Sequence, residues 1–160
     1  PGRVSPVSPR TRRLTAPLVL ALGALLLIET VGGLWIFVAR VLEPGHMPGL
    51  SLHWWAGWAL SAVYVVYLVR HVARVAPLRP RLDYALGMLA AATLTLVQVT
   101  GSVVGWSWWR QGQPRDHVFT PWLSGAHDML SMMTLSFVAA HLGAVLLRDA
   151  RVRARRDRAA

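Results

Sequence analysis

Trp122–Leu147, WLSGAHDMLSMMTLSFVAAHLGAVLL, holds a single carboxylate, Asp128, and neither Arg nor Lys. It is longer than the roughly 20 residues a helix needs to cross a bilayer core. It also carries two histidines, His127 and His141, 14 positions apart. That interval rises about 21 Å and ends about 40° short of four full turns, so both rings leave one side of a helix near its opposite ends. Imidazole is rare inside a membrane span and marks a functional hypothesis by default.

Three further apolar stretches precede it: Ala16–Val41, Leu50–Val75 and Leu82–Trp106. Across all 160 residues, 54% are hydrophobic, only 15% are charged, and the mean hydropathy is +0.42. Ordinary soluble domains carry about a quarter charged residues, so soluble classes are excluded. The breaks between stretches hold Glu43-Pro44-Gly45, Pro48-Gly49, Pro77, Pro80 and Gln111-Gly112-Gln113-Pro114. Pro and Gly end helices there by removing a donor and freeing the backbone. The expected fold is all-α: an integral membrane four-helix bundle running up-down-up-down. Residues 14–148 form the transmembrane domain, with spans at about 16–41, 50–75, 82–106 and 122–147. Residues 1–13 and the Arg-rich 149–160 are expected as tails outside the membrane. Because the chain opens on Pro1 rather than Met, residues before it are expected to have been lost.

Every one of the 17 basic side chains is Arg, and seven acids leave a net charge of +10. These Arg residues lie in short segments between apolar stretches, so nucleic acid is not an expected partner. They concentrate in three places: Arg3 to Arg13, Arg70 to Arg81, and Arg148 to Arg158. The positive-inside rule then puts both termini and the middle connection in the cytoplasm of a bacterial cell, with the bundle in its inner membrane. All eight Trp residues (Trp35, Trp54, Trp55, Trp58, Trp106, Trp108, Trp109 and Trp122) fall near the other ends of the spans. They read as an aromatic belt at the outer lipid interface. The chain has no Cys, which excludes disulfides, thiolate metal sites and covalently attached haem.

Of the six histidines, four fall inside spans: His53 and His71 on the second, His127 and His141 on the fourth. His53 and His71 are 18 residues apart, about 27 Å and a whole number of turns. The second and fourth helices are expected to run the same way, which places His53 with His127 in the outer leaflet and His71 with His141 in the inner one. Two such layers are what two bis-imidazole haems stacked across a membrane require. Glycines fit the same scheme, since a rigid porphyrin needs helix positions without side chains. Gly87 and Gly101 are again 14 apart, and Gly57 lies one turn after His53. Gly23, Gly32 and Gly33 offer the same on the first helix. Gly101 with Gly105 also reads as a small-residue packing face. His46 and His117 fall in the outer connections, either as solvated loop residues or at a partner or quinone site.

With these residues in view, the chain resembles the bacterial di-haem cytochrome b proteins. Two His on the second helix, two on the fourth and glycines on the flanking helices look like the four-helix haem-binding half of cytochrome b in quinol-oxidising complexes. His127 and His141 match the family's His-x13-His. Size and build are also similar to the cytochrome b subunits of formate dehydrogenases and NiFe hydrogenases. The chain departs in two ways: its first helix has no His, and Tyr67 stands where a 13- or 14-residue spacing would put the second ligand after His53. The resemblance implies two b haems, held by His53 with His127 and by His71 with His141, with His53, His71, His127 and His141 as iron ligands and Gly57, Gly87 and Gly101 against the cofactor. It implies electron transfer to or from quinone within a larger membrane redox complex. Arg40, Arg110 and Arg115 on one side, and Arg70, Arg74 and Arg148 on the other, are then candidates for haem propionates or for lipid headgroups. The alternatives are a self-contained quinone-coupled oxidoreductase, a haem-free anchor subunit, and a His-lined metal carrier.

Glu29, near the middle of the first span, is expected to be neutral or paired. It would serve either a proton path or a hydrogen bond to a neighbouring subunit. Asp128 points about 100° away from His127 and reads as a surface contact. Gln98 needs an internal partner. Met129, Met132 and Met133 read as packing.

Overall fold

The computed structural model describes residues 9–75, 82–113 and 118–158, with side chains for 17–71, 82–113 and 118–158. They form four helices, α1 (Pro9–Leu42), α2 (Leu50–Val75), α3 (Leu82–Arg110) and α4 (Pro121–Asp157), and no strand among the described residues. Each contains a stretch long and apolar enough to cross a membrane: Pro17–Leu42, Leu50–His71, Leu82–Arg110 and Pro121–Asp157. Leu20, Leu27, Val69, Leu82, Leu146 and Leu147 are all more than 60% exposed. An apolar surface this extensive is compatible with a multi-pass membrane protein.

The helix ends follow local backbone chemistry. After α1, Pro44 and Gly45 occupy the centre of a turn closed by the His46 amide on the Glu43 carbonyl (2.9 Å), with Gly45 at φ +91°. That is the type II arrangement, which requires a residue able to take positive φ at its third position. α3 ends in a Schellman motif. The Gln113 amide reaches back to the Trp108 carbonyl and the Gly112 amide to that of Trp109, both at 3.1 Å, with Gly112 at φ +78°. Pro121 opens α4 at a position where a missing amide costs nothing.

Three of these helices are longer than expected. α1 begins at Pro9, ahead of the apolar stretch expected from about residue 16, and α4 continues through Arg148–Asp157, so the Arg-rich end is helical up to Asp157. The change of composition at Arg148 marks where polarity begins. It supplies no Gly or Pro to break the helix, and Ala and Arg are good helix formers. Arg155 and Arg156 in the last turn also complement the helix dipole. For the same reason α3 passes Trp106 and stops only at Arg110, next to the Gly112 turn. Residues 1–8 lie outside the described residues.

The chain divides into two units, one containing α1 and α2 and the other α3 and α4. In the first, α1 packs on α2 as an antiparallel hairpin, with Ile36, Leu60 and Tyr64 buried. In the second, α3 packs on α4, burying Ala90, Thr93, Leu94, Gly105, Trp108 and Thr134. Thr93 and Thr134 return their hydroxyls to the carbonyls of Leu89 (2.9 Å) and Leu130 (2.8 Å), which satisfies them without water. Trp108, expected at a lipid interface, is only 4% exposed and belongs to the core of its unit. Trp35, Trp55, Trp58, Trp106, Trp109 and Trp122 remain exposed, as an interfacial role requires. Gly105 is buried beside this core, in keeping with its expected packing role.

Candidate functional site

The second unit places both of its span histidines on glycines of the facing helix. A Cβ added to Gly101 would lie 2.9 Å from His127 Cε1, and one on Gly87 would lie 3.0 Å from His141 Cε1. The 14-residue interval on α3 thus meets the equal interval on α4 in a single antiparallel register. These glycines are needed because an imidazole stands where a Cβ would crowd it.

Both rings are also held by a nitrogen. His141 Nδ1 lies 2.7 Å from the carbonyl oxygen of Asp83 in the first turn of α3. A carbonyl only accepts, so Nδ1 carries the proton and Nε2 the lone pair. His127 Nδ1 lies 3.1 Å from Thr100 Oγ1. The Thr100 hydroxyl also lies within hydrogen-bond reach of the carbonyls of Leu96 (2.8 Å) and Val97 (3.1 Å), so this side chain ties the ring to its own helix backbone. A metal-ligating His ordinarily donates its other ring N–H to a protein acceptor, which fixes ring orientation and raises ligand basicity. The ends of α3 and α4 near His141 are further joined by Arg148, whose guanidinium pairs with the Asp83 and Asp149 carboxylates.

The first unit repeats the theme with a different acceptor. His53 sits over Gly32 and Gly33, its Cε1 3.2 Å from where a Gly33 Cβ would be. Its Nδ1 lies 3.1 Å from Glu29 Oε2, an ion-pair contact rather than an aligned hydrogen bond. Gly57 does not face open space or a cofactor groove within its hairpin. It faces the Glu29 carboxylate, 3.5 Å from its would-be Cβ. His71 differs from the other three: it is exposed, its Nδ1 is 3.4 Å from the Tyr67 hydroxyl, and its ring stacks on Tyr67 at 5.2 Å.

Of the remaining candidates, His46 is exposed in its loop, while His117 and Arg115 lie outside the described residues. The side chain of Arg74 lies outside them as well. Arg40 stands 5.7 Å over the Phe37 ring, Arg70 and Arg110 are exposed, and Arg148 is engaged as described. Gln98 buries its Nε2 with no hydrogen-bond partner among the described residues. Met129, Met132 and Met133 are exposed rather than packed. A Cβ added to Gly23 would meet nothing within 4 Å among the described residues, unlike those at Gly32 and Gly33.

Among the described residues, no three His, Cys, Asp or Glu side chains converge as a metal site would need. Two axial imidazoles, by contrast, are all that a b-type haem requires of its protein. Along α4 the two rings stand about 21 Å apart, each over a glycine of α3. Sequence reasoning missed Thr100, Asp83 and Glu29 as the groups that hold the rings. Glu29 with Gly33 and His53 with Gly57 are both four-residue pairs, and setting them against each other antiparallel would have revealed the Glu29–His53 contact. Comparison with protein-family models, curated proteins and solved structures returns no match.

Proposed function

We propose that this chain is a di-haem cytochrome b of the bacterial inner membrane, an electron-transfer subunit that links a redox partner to the quinone pool. In this reading its four helices form an up-down-up-down bundle with both termini cytoplasmic, and it works within a respiratory or photosynthetic complex. His53 and His127 bind one haem, and His71 and His141 the other, with Gly87 and Gly101 beneath the two α4 rings. The observation that carries the reading is the paired register of His127 on Gly101 and His141 on Gly87, each with Nδ1 within hydrogen-bond reach of a protein oxygen.

Bound haem supplies reversible one-electron chemistry. The chain's own contribution is to present Nε2, fix the plane of each imidazole and keep water away. Thr100 and Asp83 do the first two on α4, and both acceptors are neutral oxygens. Glu29 stands in that position for His53. The apolar faces of the four helices provide the dry surroundings, in which such polar contacts are stronger than in water.

The test is an absorption spectrum of the purified protein, oxidised and then reduced with dithionite, followed by pyridine haemochrome stoichiometry. Sharp reduced α and Soret bands with two haems per chain are the expected result. A preparation that is folded and helical but without those bands refutes the reading and leaves a membrane anchor. His127→Ala and His141→Ala should each remove one haem.

A further inference from the structure

The apolar stretch of α4 stops at Leu147, but the helix does not. From Arg148 to Arg158 it carries six Arg and two Asp, all exposed, and it stays helical to Asp157. The root of this arm is held: Arg148 pairs with Asp83 of α3 and with Asp149. The other five guanidiniums make no ion pair among the described residues. Helical rotation sorts them. Arg151, Arg155 and Arg158 fall within about 60° of one another, and both acids lie about 100° or more away. Arg153 has an acid four residues to either side, Asp149 and Asp157, and side chains at that interval share one side of a helix. One side of the arm is therefore a row of uncompensated guanidiniums.

What such a row meets depends on where it stands. Arg158 lies about 15 Å beyond Arg148 along the axis, whereas the headgroup layer is only about 5–8 Å deep on each face of a bilayer. Arg155 and Arg158 therefore stand outside the headgroups of a membrane spanned by the apolar stretch, and attraction to anionic lipid fades over about 8 Å at physiological salt. A helix that lies flat on lipid needs an apolar face. Ala150, Val152 and Ala154 supply none, since Val152 points about 160° away from each alanine. Nor is there a Gly or Pro between Leu147 and Arg158 to bend the arm down. Nucleic-acid binding draws on many basic contacts and on aromatic stacking; this row has three guanidiniums, and the arm has no aromatic residue.

We propose that Arg151, Arg155 and Arg158 form the docking surface for a protein partner with an acidic face, at the side of the membrane where α4 emerges. Guanidinium forks match carboxylates with two N–H groups to two oxygens, and a helix presents these three at steps of about 6 Å and 4.5 Å. Charge complementarity of this kind sets the orientation and speed of encounter more than the final affinity. The surface lies wholly on α4 and is independent of haem binding.

The test uses the full chain in nanodiscs of phosphatidylcholine or of phosphatidylglycerol, with labelled poly-L-glutamate and a labelled single-stranded oligonucleotide as probes. In neutral discs poly-L-glutamate should bind more tightly than the oligonucleotide and lose affinity as salt rises. Arg155→Gln with Arg158→Gln should weaken that binding by about three- to tenfold. Arg153→Gln with Arg156→Gln removes the same charge at nearly the same height and should weaken it by about twofold or less. All four side chains are exposed, so both double variants should keep their helix content by circular dichroism. Trypsin should cut the arm at equal rates in the two kinds of disc. No binding of poly-L-glutamate, or equal losses in the two double variants, overturns this assignment. Protection of the arm by phosphatidylglycerol overturns it in favour of lipid, and tighter binding of the oligonucleotide overturns it in favour of nucleic acid.

Discussion

Replacing Gly101 with Ala tests the register on which the site depends. The new Cβ would sit 2.9 Å from His127 Cε1 and 3.4 Å from Nδ1, well inside the roughly 3.5–4.0 Å optimum for carbon contacts. The ring cannot retreat without stretching its 3.1 Å contact to Thr100. Overpacking of this kind costs about 1–3 kcal/mol. Against it stands the gain of about 1 kcal/mol from removing a glycine from a helix interior. Gly143, on the same helix as His127, has nothing within 4 Å of its would-be Cβ, so Gly143→Ala collects the gain alone. The two variants should therefore differ by roughly 1–3 kcal/mol, or about 2–12 °C for a chain of this length. Apparent melting temperature by circular dichroism in one detergent, at one scan rate, checks the difference, and haem content checks the displacement of the ring. If Gly101→Ala melts at or above Gly143→Ala and keeps its full haem complement, the His127–Gly101 contact does not exist as described.

Thr100→Val removes the oxygen that bonds the His127 ring and should destabilise by about 0.5–1.5 kcal/mol, the net worth of an ordinary hydrogen bond; Thr100→Ser should restore most of it in the same thermal assay. Asp83→Asn and Arg148→Gln, taken singly and together, should show a coupling of only about 0.2–1 kcal/mol, because the Arg148 side chain is 46% exposed and solvent screens the pair. That coupling should shrink further in high salt. His71→Ala should leave the outer haem untouched and remove the inner one, whereas Tyr67→Phe should keep both haems, since the hydroxyl stands 3.4 Å from His71 and is a weak hold. Loss of the inner haem in Tyr67→Phe alone would move the ligand assignment from His71 toward Tyr67.

Much of the architecture could be read locally. Four apolar runs broken by Pro and Gly are the four helices, and the turns at Pro44-Gly45 and Gly112 end them where backbone chemistry says they should. The helices run past the apolar stretches at Arg13 and Arg148 because a change from apolar to charged residues reports where polarity begins, while only a breaker or cap reports where a helix stops. Trp108 was misplaced for a related reason. Its neighbours Trp106 and Trp109 are exposed, and no pattern in a cluster of indoles says which one turns inward.

By itself, the sequence determines that this chain forms long apolar helices and that histidines stand on two of them at repeating depths, because hydropathy and helical rise are properties of each segment alone. Only the tertiary structure decided what each ring touches. That Gly101 lies under His127, that Asp83 and Thr100 hold the α4 rings, and that Glu29 reaches His53 across a hairpin all depend on the register between two helices. That register is set by the packing of facing side chains many residues apart, which no single segment encodes.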